Sequence, residues 1–202
     1  MEKNLIPDWL KNGYISALNP LVRISTAFRI HPNFFTTLSF LISLLSAWVL
    51  LSGHLRWGGV LILVSGTFDI IDGAVARAAK MATKFGALYD STLDRYAELA
   101  VFFGILGYYL NYTDRDVLLP VGAALCGSFM VSYIRARAEG LGFECKVGWM
   151  QRPERVVLLG FGAIFGESIL LFFIIFIAAL SNITAIQRIF YIWKVSHHSE
   201  SH

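Results

Sequence analysis

The chain has 202 residues, 56% of them hydrophobic and only 15% charged, with a formal net charge of +3. That is ample apolar sequence for several membrane spans and too little polar sequence for a separate soluble domain, so one membrane domain over residues 1–202 is expected, with an arm at 1–30 and a bundle at 34–194. The weak positive charge favours anionic lipid head groups only slightly and gives no reason to expect nucleic acid as a partner.

Residues 1–30 mix Leu5, Ile6, Trp9, Leu10, Tyr14, Ile15 and Leu18 with polar side chains. This is the pattern of a helix lying in the membrane interface, although an amphipathic arm packed on protein reads the same way. The arm lacks the uninterrupted apolar run and cleavage site of a signal peptide. Apolar stretches then predict helices near 34–53, 57–79, 84–112, 116–140, 153–166 and 168–194. A span needs about 20 residues to cross a ~30 Å hydrocarbon core, and the fifth stretch is short. Gly160, Gly162 and Gly166 loosen it and Glu167-Ser168 offers a turn, so 153–194 reads as a hairpin, with one long helix as the alternative. Extended strands are implausible, because sheet edges facing lipid leave backbone groups unsatisfied. The expected fold class is therefore all-α and polytopic.

Lys3, Lys11, Arg23, Arg29, Arg77, Lys80, Lys84, Arg135, Arg137, Lys146, Arg152, Arg155, Arg188 and Lys194 fall on one side of this arrangement, and Arg56 and Arg115 on the other. The asymmetry puts both termini in the cytoplasm. Cys126 and Cys145 fall in a span and a loop and read as free thiols. His197, His198 and His202 read as a solvated tail, and His31 has no evident partner.

The chemistry concentrates between Asp69 and Asp94. There the chain reads D-I-I-D-G-A-V-A-R, then eight residues, then G-A-L-Y-D-S-T-L-D. Charged side chains inside spans are costly and mark functional sites, and four neighbouring acids repel unless protons or cations intervene. Asp69 and Asp72 are i, i+3, with Gly73, Ala76 and Arg77 on the same side; Asp90 and Asp94 are i, i+4, with Gly86 one turn earlier. Two facing helices thus present two carboxylates each. Oxygen ligands without a Cys or His cluster suit Mg²⁺ or Mn²⁺, and two ions about 3.5–4 Å apart would form a clamp for phosphoryl chemistry. From Trp57, Asp69 and Asp72 lie roughly 18–22 Å along their helix, which makes the site a shallow cavity open to the cytosol. A cation or proton transporter is the reading from a different class, but it would more naturally place its acids near the midplane.

The pattern D-x2-D-G-x2-A-R-x8-G-x3-D-x3-D resembles the signature of the CDP-alcohol phosphotransferase family, with all eight positions filled. Pro32-Asn33-Phe34-Phe35-Thr36 also resembles the segment before that family's first span. The resemblance favours the hairpin, hence about six transmembrane helices, and implies a homodimer in the cell inner or plasma membrane. It implies a synthase that moves a phosphatidyl group from CDP-diacylglycerol to a small alcohol acceptor and releases CMP. Asp69, Asp72, Asp90 and Asp94 would hold metal, with Asp94 also the general base; Gly73, Arg77, Gly86, Asn33 and Thr36 would meet the donor's nucleotide and diphosphate. Close helix packing by the glycines and helix capping by Asn33 and Thr36 are the plainer readings of those residues.

S-Y-I-R-A-R-A-E-G followed by R-P-E-R resembles the phosphatidylinositol-phosphate synthase branch, in which basic residues receive the phosphate of inositol 1-phosphate. By that resemblance Arg135, Arg155 and Arg188 would bind the acceptor phosphate, whereas composition alone makes them an ordinary positive-inside belt. Arg135 stands where a related sequence has Lys, which keeps the charge and changes the geometry. Phosphatidylglycerophosphate synthase and phosphatidylinositol synthase are the alternatives within the family. Glu98 is expected to pair with Arg95, and Glu139 and Glu154 to neutralise nearby arginines.

Overall fold

The computed structural model describes residues 7–112 and 115–199, which form helices joined by short connections. Their order is α1 (Asp8–Ala27), α2 (Pro32–Leu51), α3 (Leu55–Ala78), α4 (Lys84–Tyr112), a 3-10 turn at Arg115–Val117, α5 (Leu118–Gly140), α6 (Arg152–Phe165) and α7 (Glu167–Ser199). The six predicted stretches correspond to α2 through α7. Among the described residues four helices are long and apolar enough to cross a membrane: α2, α3, α5 and α7. The 29-residue α4 carries Asp90, Asp94, Arg95 and Glu98. The 14-residue α6 is only ~21 Å long, short of a ~30 Å core.

α2 packs between α3 and α4, α3 also meets α6, and α7 packs on both α5 and α6. Small residues permit the closest approaches. A Cβ on Gly104 would lie 2.7 Å from the Ala47 backbone, and one on Gly59 would lie 2.6 Å from the Gly160 carbonyl oxygen. Without a hydrophobic drive in lipid, such backbone contact is what holds helices together. Gly160 is therefore a packing surface for α3 and not a loosening element. The break between α6 and α7 falls at Gly166, whose φ of +120° suits glycine, and α7 folds back along α6 as the predicted hairpin. The largest core cluster joins Leu50, Ile62, Phe102, Ile105, Leu159 and Ile174 from five helices.

α1 lies against α3. Its Tyr14 hydroxyl shares a 2.6 Å hydrogen bond with Thr67, and Val22 packs with Phe35, Ile71 and Val75. Trp9, Leu21, Ile24 and Phe28 remain exposed, giving the amphipathic arm both a protein face and an apolar outer face. Residues 1–6, including Leu5 and Ile6, lie outside the described residues, as does His202.

The connection from α3 to α4 is tight. Lys80 adopts φ +56° while the Met81 amide donates to Ala76, closing α3 in a left-handed C-terminal turn. Three residues later the Thr83 hydroxyl accepts from the Gly86 amide at 2.9 Å and caps α4. This short reversal brings the acidic turns of the two helices face to face.

A candidate metal centre and active site

Asp69 and Asp72 on α3 meet Asp90 on α4, each offering a carboxylate oxygen within 4.8 Å of the others. Asp72 is buried and accepts a 2.7 Å hydrogen bond from the Thr36 hydroxyl of α2. One oxygen of Asp90, Oδ1, is buried with no hydrogen-bond partner. Buried carboxylate oxygens are rarely left so, and an all-oxygen set with one orphaned member fits a hard divalent cation. Asp94 stands beside these three, in hydrogen-bond contact with Asp69. Its Oδ1 receives Arg152 Nη2 at 2.7 Å and its Oδ2 lies 3.5 Å from Arg95, while Arg152 Nη1 bonds Asp69.

Arg152, which the sequence places in the topology belt, thus bridges two of the acids, Asp69 and Asp94. Its neighbour on the same helix face, Arg155, is spent differently: Nε and Nη2 meet Glu98 at 2.6 and 3.1 Å, and Nη1 donates to the Met150 carbonyl at 3.3 Å. Glu98 therefore pairs with Arg155 and not mainly with Arg95, because α6, packed on α3 and α7, extends its i, i+3 arginines to an i, i+4 pair of acids on α4. The arginine pair in R-P-E-R, with proline in the first turn of α6, was the available signal.

The other two arginines bound the same region. Arg188 is buried and donates to the carbonyls of Val131 and Val147, and Arg135 meets Glu139 at 2.8 Å, as expected of that glutamate. Arg188 lies within electrostatic range of Arg135 and Arg155, and Arg95 within range of Arg152 and Arg155. Positive charge is thus concentrated beside the acids. In the connecting loop Cys145 is buried, which pushes its thiol up, and like Cys126 it is a free cysteine.

On the opposite flank, His31 and not Asn33 or Thr36 caps α2, its Nδ1 accepting from the Asn33 amide at 3.2 Å. The Asn33 side chain faces α4 instead: a Cβ on Gly86 would lie 3.5 Å from its Oδ1. Arg77 is exposed, with its guanidinium above Gly73, where a Cβ would be 3.3 Å away. Asn33 and Gly86 thus meet at the N-terminal ends of α2 and α4, and Gly73 and Arg77 lie in the C-terminal turns of α3.

The CDP-alcohol phosphatidyltransferase family model matches residues 29–196. The chain belongs to that family. As a family member with four apolar helices of spanning length, it is an integral membrane phosphatidyltransferase. It is 36% identical over 198 residues to an archaetidylinositol phosphate synthase of Methanothermobacter thermautotrophicus, covering 94% of this chain and 98% of the relative. It is 37% identical to a phosphatidylinositol phosphate synthase of Mycobacteroides abscessus, over 77% of this chain and 71% of that one. The crystal structure of Mycobacterium tuberculosis phosphatidylinositol phosphate synthase with CDP-DAG bound superposes with a TM-score of 0.77 at 31% identity, covering 86% of this chain and 92% of that chain. The same enzyme in complex with manganese and citrate gives 0.77 at 32% identity, over 86% and 88%.

Proposed function

We propose that this phosphatidyltransferase transfers the phosphatidyl group of CDP-diacylglycerol to inositol 1-phosphate, releasing CMP. The observation that carries the reading is the meeting of an oxygen-rich carboxylate cluster with a concentration of arginines, bridged by Arg152. One half suits a metal-bound diphosphate and the other a phosphate-bearing acceptor. The relatives' names support the acceptor, since archaetidylinositol and phosphatidylinositol phosphate synthases differ in lipid and share the head group.

In this reading Asp69, Asp72 and Asp90 hold Mg²⁺ or Mn²⁺, and the structure of a relative with manganese supports a divalent ion. Bound there, the metal, as two ions if the clamp read from the carboxylate spacing forms, would neutralise the diphosphate and the departing CMP. Thr36 fixes Asp72. Arg77 contacts the donor diphosphate, and Asn33, Gly73 and Gly86 border the nucleotide, where a missing side chain lets it approach the helix backbone. Asp94 accepts the proton of the attacking hydroxyl and completes the metal-bearing acidic face. Arg135, Arg155 and Arg188 supply the positive field for the acceptor phosphate. The single domain spans 1–202, its arm lies in the interface, and the site and both termini face the cytoplasm of an inner or plasma membrane, in keeping with the distribution of basic residues. The homodimer implied by the resemblance belongs to the same proposal and is testable by the mass of the detergent-purified protein.

The experiment is CMP release by purified protein with CDP-diacylglycerol, Mg²⁺ or Mn²⁺ and a panel of acceptors. Inositol 1-phosphate is expected to be used best. Preference for glycerol 3-phosphate or free inositol would replace the acceptor and keep the family; ion flux without nucleotide turnover would overturn the reaction.

A further inference from the structure

Asp94, the base of the proposed reaction, has its two oxygens engaged by arginines, Arg152 at 2.7 Å and Arg95 at 3.5 Å. A carboxylate whose lone pairs are held by guanidinium groups is poorly placed to take a proton from an attacking hydroxyl. Arg152 binds a second reaction-site acid as well, Asp69, so that one side chain restrains two of the four aspartates. Its side chain is 18% exposed and that of Asp94 13%, whereas Arg155 one turn along α6 is 1% exposed and clamped to Glu98. Of these two arginines, Arg152 is the one a soluble anion can reach.

We propose that Arg152 is a latch on Asp94 that the acceptor's phosphate releases, so that the donor meets a working base only when an acceptor is in place. The inference rests on the reading of Asp94 as base and of the acceptor as a phosphate ester. A guanidinium fork satisfies carboxylate and phosphate oxygens alike, so exchanging one for the other sacrifices little bonding. The phosphate ester also brings about −1.5 to −2 charges against the −1 of Asp94. Arg155 and Arg188, held by Glu98 and by backbone carbonyls, keep their positions and provide the fixed attraction that brings the phosphate beside Arg152.

The latch guards against water. In the unwanted reaction a water oxygen bonds to the donor phosphorus next to the lipid, the bond from that phosphorus to the CMP oxygen breaks, CMP departs with the electron pair, a water proton passes to Asp94, and phosphatidate forms. In the wanted reaction the acceptor hydroxyl takes the place of water. With Arg152 on Asp94 neither proceeds readily; with phosphate bound the hydroxyl tethered to that phosphate is already at hand.

The test separates phosphate from hydroxyl. Methyl phosphate, which carries no alcohol, is added to wild-type enzyme with CDP-diacylglycerol and Mn²⁺ at constant ionic strength, and phosphatidate is measured. Phosphatidate formation is expected to rise about tenfold, the factor expected when one charge-assisted bond to the base is removed. Arg152→Gln is expected to form phosphatidate without methyl phosphate and to lose the response, while Arg152→Lys keeps part of it. Mn²⁺ binding to Arg152→Gln, read by electron paramagnetic resonance, is expected to be at least as tight as wild type, since Arg152 no longer competes for Asp69. No stimulation, in a wild-type enzyme that transfers normally to inositol 1-phosphate, overturns the latch and leaves the function standing. If no phosphorylated acceptor is used at all, the functional reading falls and the latch with it. The wild-type measurement decides the matter even if neither variant folds.

Discussion

Thr36 and Asp72 are joined across the α2–α3 contact by a 2.7 Å hydrogen bond, with both residues buried. A hydroxyl donor to a carboxylate in that setting contributes about 1.5–3 kcal/mol. Thr36→Val keeps the shape and removes the donor, leaving Asp72 free to turn from the cluster. Mn²⁺ affinity is expected to fall roughly 10- to 150-fold by that energy, and Thr36→Ser to restore most of it. Titration of Mn²⁺ by electron paramagnetic resonance checks this directly.

The four aspartates divide by geometry. Asp69→Asn, Asp72→Asn and Asp90→Asn each remove a charge from the clustered oxygens, so metal affinity and turnover are expected to fall together while the protein still inserts. Asp94→Asn removes the acid bonded to Arg152 and is expected to spare Mn²⁺ binding more than chemistry. Single-turnover CMP release with donor and metal bound distinguishes them; a near-normal rate in Asp94→Asn would remove its role as base.

The helices were legible because long apolar runs broken by Gly, Pro and charged turns leave few ways to divide the chain, and α4 in particular, Lys84–Tyr112, coincides with its predicted stretch. The carboxylate face was legible for a similar reason: helical periodicity alone places Asp69 with Asp72 and Asp90 with Asp94. What periodicity does not carry is which helix docks where. Glu98 has Arg95 three residues away in sequence, yet its bidentate partner Arg155 arrives from α6. Arg152 looked like one more basic residue at a membrane boundary, because topology and ion pairing call for the same side chain. Gly160 was ambiguous in the same way, since a small residue loosens an isolated helix and tightens a packed one.

Arg77 is exposed at the end of α3 with no carboxylate partner within 4 Å among the described ion pairs. Arg77→Ala is therefore expected to leave thermal stability almost unchanged and to weaken use of CDP-diacylglycerol with every acceptor, since the contact is to the shared diphosphate. Donor saturation curves with two different acceptors make the check. A change confined to one acceptor, or none at all, would make Arg77 a topology residue.

Arg155 is harder to test because it is doubly engaged. Arg155→Met would leave Glu98 buried without its bidentate partner, and breaking a buried pair this way costs about 3–5 kcal/mol, so loss of activity in that variant would say nothing about the acceptor. Adding Glu98→Gln removes the stranded charge and is expected to recover most of the lost stability, measured as unfolding temperature in detergent. The recovered double variant then isolates the second role. If Arg155 also lends its charge to the acceptor phosphate, the apparent requirement for inositol 1-phosphate stays raised roughly 10- to 150-fold while donor kinetics return towards wild type. If stability and acceptor use recover together, Arg155 acts only as the counter-ion of Glu98, and the acceptor phosphate depends on Arg135, Arg188 and Arg152.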